Sequence, residues 1–162
     1  MYNSHPSGHY YWESNSSDHA GGTAPEAWVQ YAYWASGQDY MTILGTPQLD
    51  TSDATRLALE FKHHCLLGYY PAGHEVYIYA TADGYDWVDV TPWSNPAWWY
   101  YFDIGPETVT INLNQFIGPT TSVAFWLFVP YSANNIDDWA LDDVKIYQKH
   151  LHHRPIPEAN DN

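Results

Sequence analysis

The chain has 162 residues, of which 45% are hydrophobic and 18% are aromatic, with 15 Tyr, 9 Trp and 5 Phe. That is enough for a single domain with a sizeable core. With 19 Asp and Glu against 5 Lys and Arg, the formal net charge is −14. No basic footprint exists to displace phosphate counterions, so nucleic acid is excluded as a partner and anionic membrane surfaces are disfavoured. Calcium, cationic partners or neutral glycans fit this balance better. Cys65 is the single cysteine, so no internal disulfide can form; its place in an alternating apolar run reads as a small core residue. No apolar run is long enough to span a bilayer, so no membrane insertion is expected.

Residues 1–24 are rich in Ser, Gly, His, Asn and Tyr without periodicity and read as loop or extended arm. Asn15-Ser16-Ser17 within them is a sequon that would place an N-glycan on Asn15. Residues 27–34 and 39–44 read as strands. Residues 55–65 give the cleanest alternation, with Leu57, Leu59, Phe61 and His63 facing in and Arg56, Glu60, Lys62 and His64 facing out. Residues 74–81 alternate Val76, Ile78 and Ala80 against Glu75, Tyr77, Tyr79 and Thr81. Asp83-Gly84 is a turn into a strand at 86–90. Residues 91–106 read as a loop whose prolines restrain Trp93, Trp98, Trp99, Tyr100 and Tyr101. Such rings either cover an end of the fold, anchor a protein interface or stack on sugar faces. Strands follow at 107–113 and 122–129, the latter apolar on both sides and therefore central. Residues 131–138 are a polar loop, 139–147 a closing strand, and 149–162 a tail. No helical period and no repeat appears, and short alternating strands between turn signals predict an all-β, antiparallel two-sheet β-sandwich.

The closing strand, WALDDVKIY, places Asp142, Val144 and Ile146 on one face. Val144 and Ile146 read as core positions, so Asp142 is expected to point inward as well. A carboxylate there needs a cation or several donors. It therefore either caps loop amides, ligates calcium through hard oxygen atoms, or faces outward after a one-residue slip of register. Other chemistry finds less support. His74-Glu75 fails as a zinc-peptidase motif because Ile78 stands where the second His belongs. His63 and His64, being strand neighbours, point to opposite faces and cannot both join Cys65 and His74 around one zinc. The pairs Asp137-Asp138 and Asp142-Asp143 do not establish two carboxyl groups across a cleft, as a glycosidase requires. The chain is read as non-catalytic.

Five separated motifs resemble the MAM-like jelly-roll family, which includes bacterial cleaved-adhesin domains. They are AGGTAPEAWVQY (20–31), GTPQLDTSDATRLALEFKHH (45–64), ATADGYDW (80–87), GPETVTINL (105–113) and NNIDDWALDDVKIY (134–147), in the family's order. The resemblance implies a jelly roll over 12–148 between an arm, 1–11, and a tail, 149–162. It also implies a secreted or cell-surface location, the targeting segment having been removed, because residues 1–20 are no signal peptide. The implied role is adhesion or surface assembly through contact with other copies or another surface protein. The alternative is a carbohydrate-binding module using the Trp-rich loop 91–101. Calcium near the closing strand is implied too, which would enlist Asp142 with Asp138. The chain departs from the pattern where the family's first strand and its carboxylate ligand should stand, since only MYNSHPSGHYY precedes Trp12 and Glu13 matches poorly. An edge left open there is a template for another segment. Donor-strand complementation by the arm, or by the tail around Leu151 and Ile156, would then link copies head-to-tail into fibres. The tail's prolines would make it an imperfect donor.

Overall fold

The structure, a computed structural model, describes residues 12–30, 40–67, 75–93, 102–129 and 136–148. These form nine strands: β1 (Glu13–Asn15), β2 (Glu26–Gln30), β3 (Tyr40–Gly45), β4 (Leu57–Leu67), β5 (Glu75–Thr81), β6 (Val88–Asp89), β7 (Phe102–Asn112), β8 (Ser122–Val129) and β9 (Ile136–Gln148). One short 3-10 turn, Asn114–Phe116, follows β7. The strands build a five-stranded sheet in the order β1-β2-β9-β4-β7 and a four-stranded sheet in the order β3-β8-β5-β6. All strand pairs are antiparallel. The all-β, two-sheet sandwich expected from alternation is therefore what forms.

Period two explains which side chains fill the space between the sheets. Leu57, Leu59, Phe61, His63 and Cys65 of β4 are buried there, as are Val76, Ile78 and Ala80 of β5 and Val123, Phe125 and Leu127 of β8. Phe125 is met edge-on by Phe61, ring centroids 5.2 Å apart, and by Trp139, 6.1 Å away. Central placement of residues 122–129 holds, because β8 lies between β3 and β5. The Asp-Gly turn also forms: Asp83 Oδ1 accepts the amides of Tyr85 and Asp86 at 2.8 and 2.9 Å. Gly84 supplies the left-handed residue, φ +81.

Three expectations are corrected. Residues 13–15, read as arm, form β1 against β2, with Asn15 opposite Glu26. Residues 102–106, read as loop, open β7, because Gly105 takes φ +91 where a Cβ would sit 2.3 Å from the His63 carbonyl oxygen. That close approach lets an extra residue bulge out and the ladder continue, from His63↔Glu107 to Cys65↔Ile104. The third correction concerns Asp142. β9 carries a bulge, Glu60 pairing with Lys145 but Lys62 with Asp142, and Asp143 sits at the left-handed φ of 50. The extra residue reverses the alternation. Trp139 and Leu141 enter the core before it and Ile146 packs on the core after it. Asp142 falls on the outer face.

Candidate ligand-binding face

The outer face of an antiparallel sheet in water is normally polar. The five-stranded sheet obeys that rule. Its lower outer face carries Lys145 bonded to Glu60 at 2.6 Å and Lys62 bonded to Asp143 at 2.8 Å. The outward-facing Glu60 and Lys62 of β4 thus pair across strands, with β9.

The four-stranded sheet breaks the rule. The outward phase of β3 supplies Met41, Ile43 and Gly45, that of β8 Ala124, Trp126 and Phe128, and that of β5 Tyr77 and Tyr79. Register sets them in rows. Trp126 lies between Ile43 and Tyr77, and Ala124 lies between Gly45 and Tyr79. Gly45, which has no side chain, and the single methyl of Ala124 leave a depression beside the indole of Trp126. A groove of about 410 Å³ runs on one side of it, bounded by Ile43, Gly45, Gln48, Trp87 and Ser122. On the other side lies a hollow of about 290 Å³ bounded by Met41, Tyr77, Tyr79 and Phe128. The rings are held at fixed tilt, Tyr79 to Trp126 at 4.9 Å and Tyr77 to Tyr79 at 5.7 Å, each pair at 51°. Trp87, 40% exposed, stands at the groove mouth. Rigid aromatic walls with a few polar groups are the composition of a small-molecule or glycan cleft. Sequence reasoning set Tyr77 and Tyr79 opposite the core phase of β5, but placed the candidate binding rings in the loop 91–101. The signal lay in the outward phases of three strands, apolar in β3 and β8 and carrying Tyr77 and Tyr79 in β5.

The other outer face is crossed by the segment 16–25. His19 stacks over Trp28 and His64, centroids 6.2 and 6.4 Å away. Glu26 is 1% exposed. Its carboxylate accepts the Ser17 hydroxyl at 2.5 Å and the amides of His19 and Ala20 at 3.2 and 2.8 Å. Donors stabilise a buried carboxylate in this way. The ladder Ala27↔Leu141, Trp28↔Ala140 puts Glu26 beside Asp142 on this face. Asp142 Oδ1 accepts the Asp143 amide at 2.7 Å, while Oδ2 is buried without a hydrogen-bond partner. Gly22 lies directly over it; a Cβ there would be 1.8 Å from Oδ2.

Asp138 cannot share an ion with Asp142. They are four residue steps apart along β9, about 13 Å at 3.3 Å per residue, and Asp138 instead lies 3.7 Å from His64 Nδ1. Among the described residues no three His, Cys, Asp or Glu side chains converge as a metal site. Trp93 is half-buried against the core. It stacks on His63 at 4.9 Å and donates to the Val76 carbonyl at 3.3 Å, so it closes an end of the sandwich. His63 Nε2 meets Glu107 at 3.2 Å; burial nonetheless pulls the imidazole below its ordinary range, against the opposing pull of Glu107. Trp98, Trp99, Tyr100, Leu151 and Ile156 lie outside the described residues. Asn15 is half-buried in β1.

Comparison with known proteins bears on the fold. No protein-family model matches the sequence, and no curated protein does. Among solved structures, the K1 cleaved adhesin domain of Lys-gingipain from Porphyromonas gingivalis is similar, with TM-score 0.51 and 18% identity, over 92% of this chain and 89% of that one. A carbohydrate-binding module of Caldicellulosiruptor saccharolyticus, CBM27-1, in complex with mannohexaose, gives TM-score 0.49 and 12% identity over 87% and 82%. The mannan-recognising module TmCBM27 gives 0.43 and 12% over 92% and 88%. The first likeness supports an adhesin-like jelly roll and lends nothing to the narrower MAM-like resemblance. The chain shares a jelly-roll fold with the cleaved adhesin domain.

Proposed function

We propose that this chain is a non-catalytic binding module of a secreted or cell-surface protein, and that it takes a neutral oligosaccharide along the outer face of β3, β8 and β5. The observation that carries this reading is the aromatic outer face centred on Trp126, grooved on both sides. Rings present C–H and π surface against which sugar faces stack, and Gln48 and Ser122 bring polar atoms to the same groove. A net charge of −14 favours neutral over anionic glycans. Calorimetric titration with neutral mannan-, glucan- and xylan-derived oligosaccharides tests it. At least one should bind, and Trp126→Ala should weaken that binding about tenfold or more, roughly 1.4 kcal/mol. Titrations that stay flat across the panel, or a Trp126→Ala variant that binds like wild type, would sink the reading.

Adhesion through protein contact is the second reading, favoured by exposed apolar side chains away from this face, Leu49 at 37% and Val144 at 38%. Calcium also stays a proposal, narrowed to Asp142 with Glu26 beside it. The buried, unpartnered Asp142 Oδ2 supports it, and Glu26 keeps lone pairs beyond the three donors it accepts. A cation bound only by the native state raises the melting temperature. Chelator should therefore lower it, and identical melts with calcium and with excess chelator would remove the ion from the account.

A further inference from the structure

The polar side chains lining the groove beside Trp126 are Thr46, Gln48 and Ser122, together with the indole N–H groups of Trp87 and Trp126. They are not equivalent. Ser122 Oγ donates to the Thr46 carbonyl at 3.1 Å and lies 3.2 Å from Thr46 Oγ1, which itself accepts the Val123 amide at 3.0 Å. The Ser122 proton is held by that carbonyl and the Thr46 proton by Ser122 Oγ, so neither hydroxyl has a proton for a ligand. The two indoles only donate. Gln48 is exposed, and its side chain makes no hydrogen bond among the described residues. Its position is nonetheless fixed. On either side of it the Thr46 amide donates to the Val123 carbonyl and the Leu49 amide to the Thr121 carbonyl, each at 2.9 Å. Its Nε2 rests on the Asp83-Gly84 turn, where a Cβ on Gly84 would come within 3.0 Å. A side-chain amide sets a carbonyl acceptor next to N–H donors. Among the described residues Gln48 is therefore the one side chain of this groove that can give and take a hydrogen bond at once.

Given the oligosaccharide reading above, on which this rests, we propose that Gln48 reads two adjacent ring hydroxyls of the sugar seated against Trp126. The ligand is then a 1,4-linked rather than a 1,3-linked neutral pyranose chain. One of two neighbouring hydroxyls donates to the amide oxygen while the other accepts from the amide nitrogen. Inside a 1,4-linked chain each residue keeps the hydroxyls on carbons two and three, side by side. Inside a 1,3-linked chain each keeps those on carbons two and four, with the linkage between them. Such a residue satisfies one half of the amide and leaves the other unpaired where the groove has lost its water. A single ring stacked on Trp126 presents the same face in either linkage, so discrimination falls to Gln48.

Calorimetric titration of the full-length protein with 1,4-linked hexasaccharides of glucose, mannose and xylose, and with the 1,3-linked hexasaccharide of glucose, tests this. The best 1,4-linked chain should bind about fivefold or more tightly than the 1,3-linked one, as one hydrogen bond contributes. Gln48→Leu should bring the two affinities together with an unchanged melting temperature. A wild type that takes the 1,3-linked chain equally well or better, and loses it in Trp126→Ala, overturns the linkage assignment and leaves the oligosaccharide reading standing. A 1,4 preference that survives Gln48→Leu also overturns it, by moving the selectivity to another group. Flat titrations with all four chains remove the reading and the linkage assignment together.

Discussion

Gly22 packs directly against one side of the Asp142 carboxylate. A methyl group at position 22 would meet Asp142 Oδ2 at 1.8 Å and its Cγ at 2.4 Å, so either the crossing segment or the carboxylate must move. Gly22→Ala should cost about 1–3 kcal/mol, the usual range for overpacking. The cost should shrink in an Asp142→Ala background, because the clash partner is gone. Denaturant melts of the two singles and the double measure it; additive costs would mean the contact is not the cause. His63 makes a second residue-scale prediction. Its folded pKa lies below the ordinary value because burial disfavours the cation. The unfolded chain therefore takes up a proton first as pH falls, and stability is fully present above the ordinary histidine range and lost below it. Melting temperature should drop between about pH 7.5 and 5 in wild type, and less in His63→Gln. Equal slopes would assign the loss to other groups. The inward place of His63 was legible from the alternation of β4. The direction of Asp142 was not, because one inserted residue reverses every side chain beyond it and leaves no mark on composition.

That insertion belongs to the element scale. Asp143 adopts a φ of 50, which costs most L-residues roughly 1–2 kcal/mol and suits Gly, Asn and Asp. Its side chain also accepts a bond from Lys62 at 2.8 Å, and that cation holds its carboxyl below the usual carboxylate range. Asp143→Gly should therefore be close to neutral, trading backbone relief against an exposed ion pair of little worth. Asp143→Val should destabilise by about 1–2 kcal/mol. A valine variant as stable as the glycine one would show that the bulge can be ironed out. Long strands with regular alternation were legible in the chain; β4, β5 and β8 kept their inward sets. β7 was cut short in the reading because Gly105 and Pro106 look like breakers, whereas here they accommodate a bulge. β1 has three residues, too few to show any period.

At the scale of the whole molecule the two outer faces are unlike. One is charged and crossed by the segment from Ser16 to Pro25, whose Glu26 anchor is buried. The other is aromatic and, among the described residues, uncovered. The sandwich itself follows from turn signals and period two, but which outer face is left uncovered among the described residues depends on how the sheets pair across distant segments, and sequence spacing does not carry that. Rings in the loop 91–101 drew attention through their density. Trp126 did not, since in an all-apolar strand its outward phase looks like core. Nuclear magnetic resonance on the labelled full chain, titrated with the oligosaccharide that binds best, tests the central claim most directly. The account predicts that amide shifts cluster on Gly45, Tyr77, Tyr79, Ala124 and Trp126, with Trp87 at the margin. Shifts confined to the five-stranded sheet or to the ends of the sandwich, with these residues still, would contradict it.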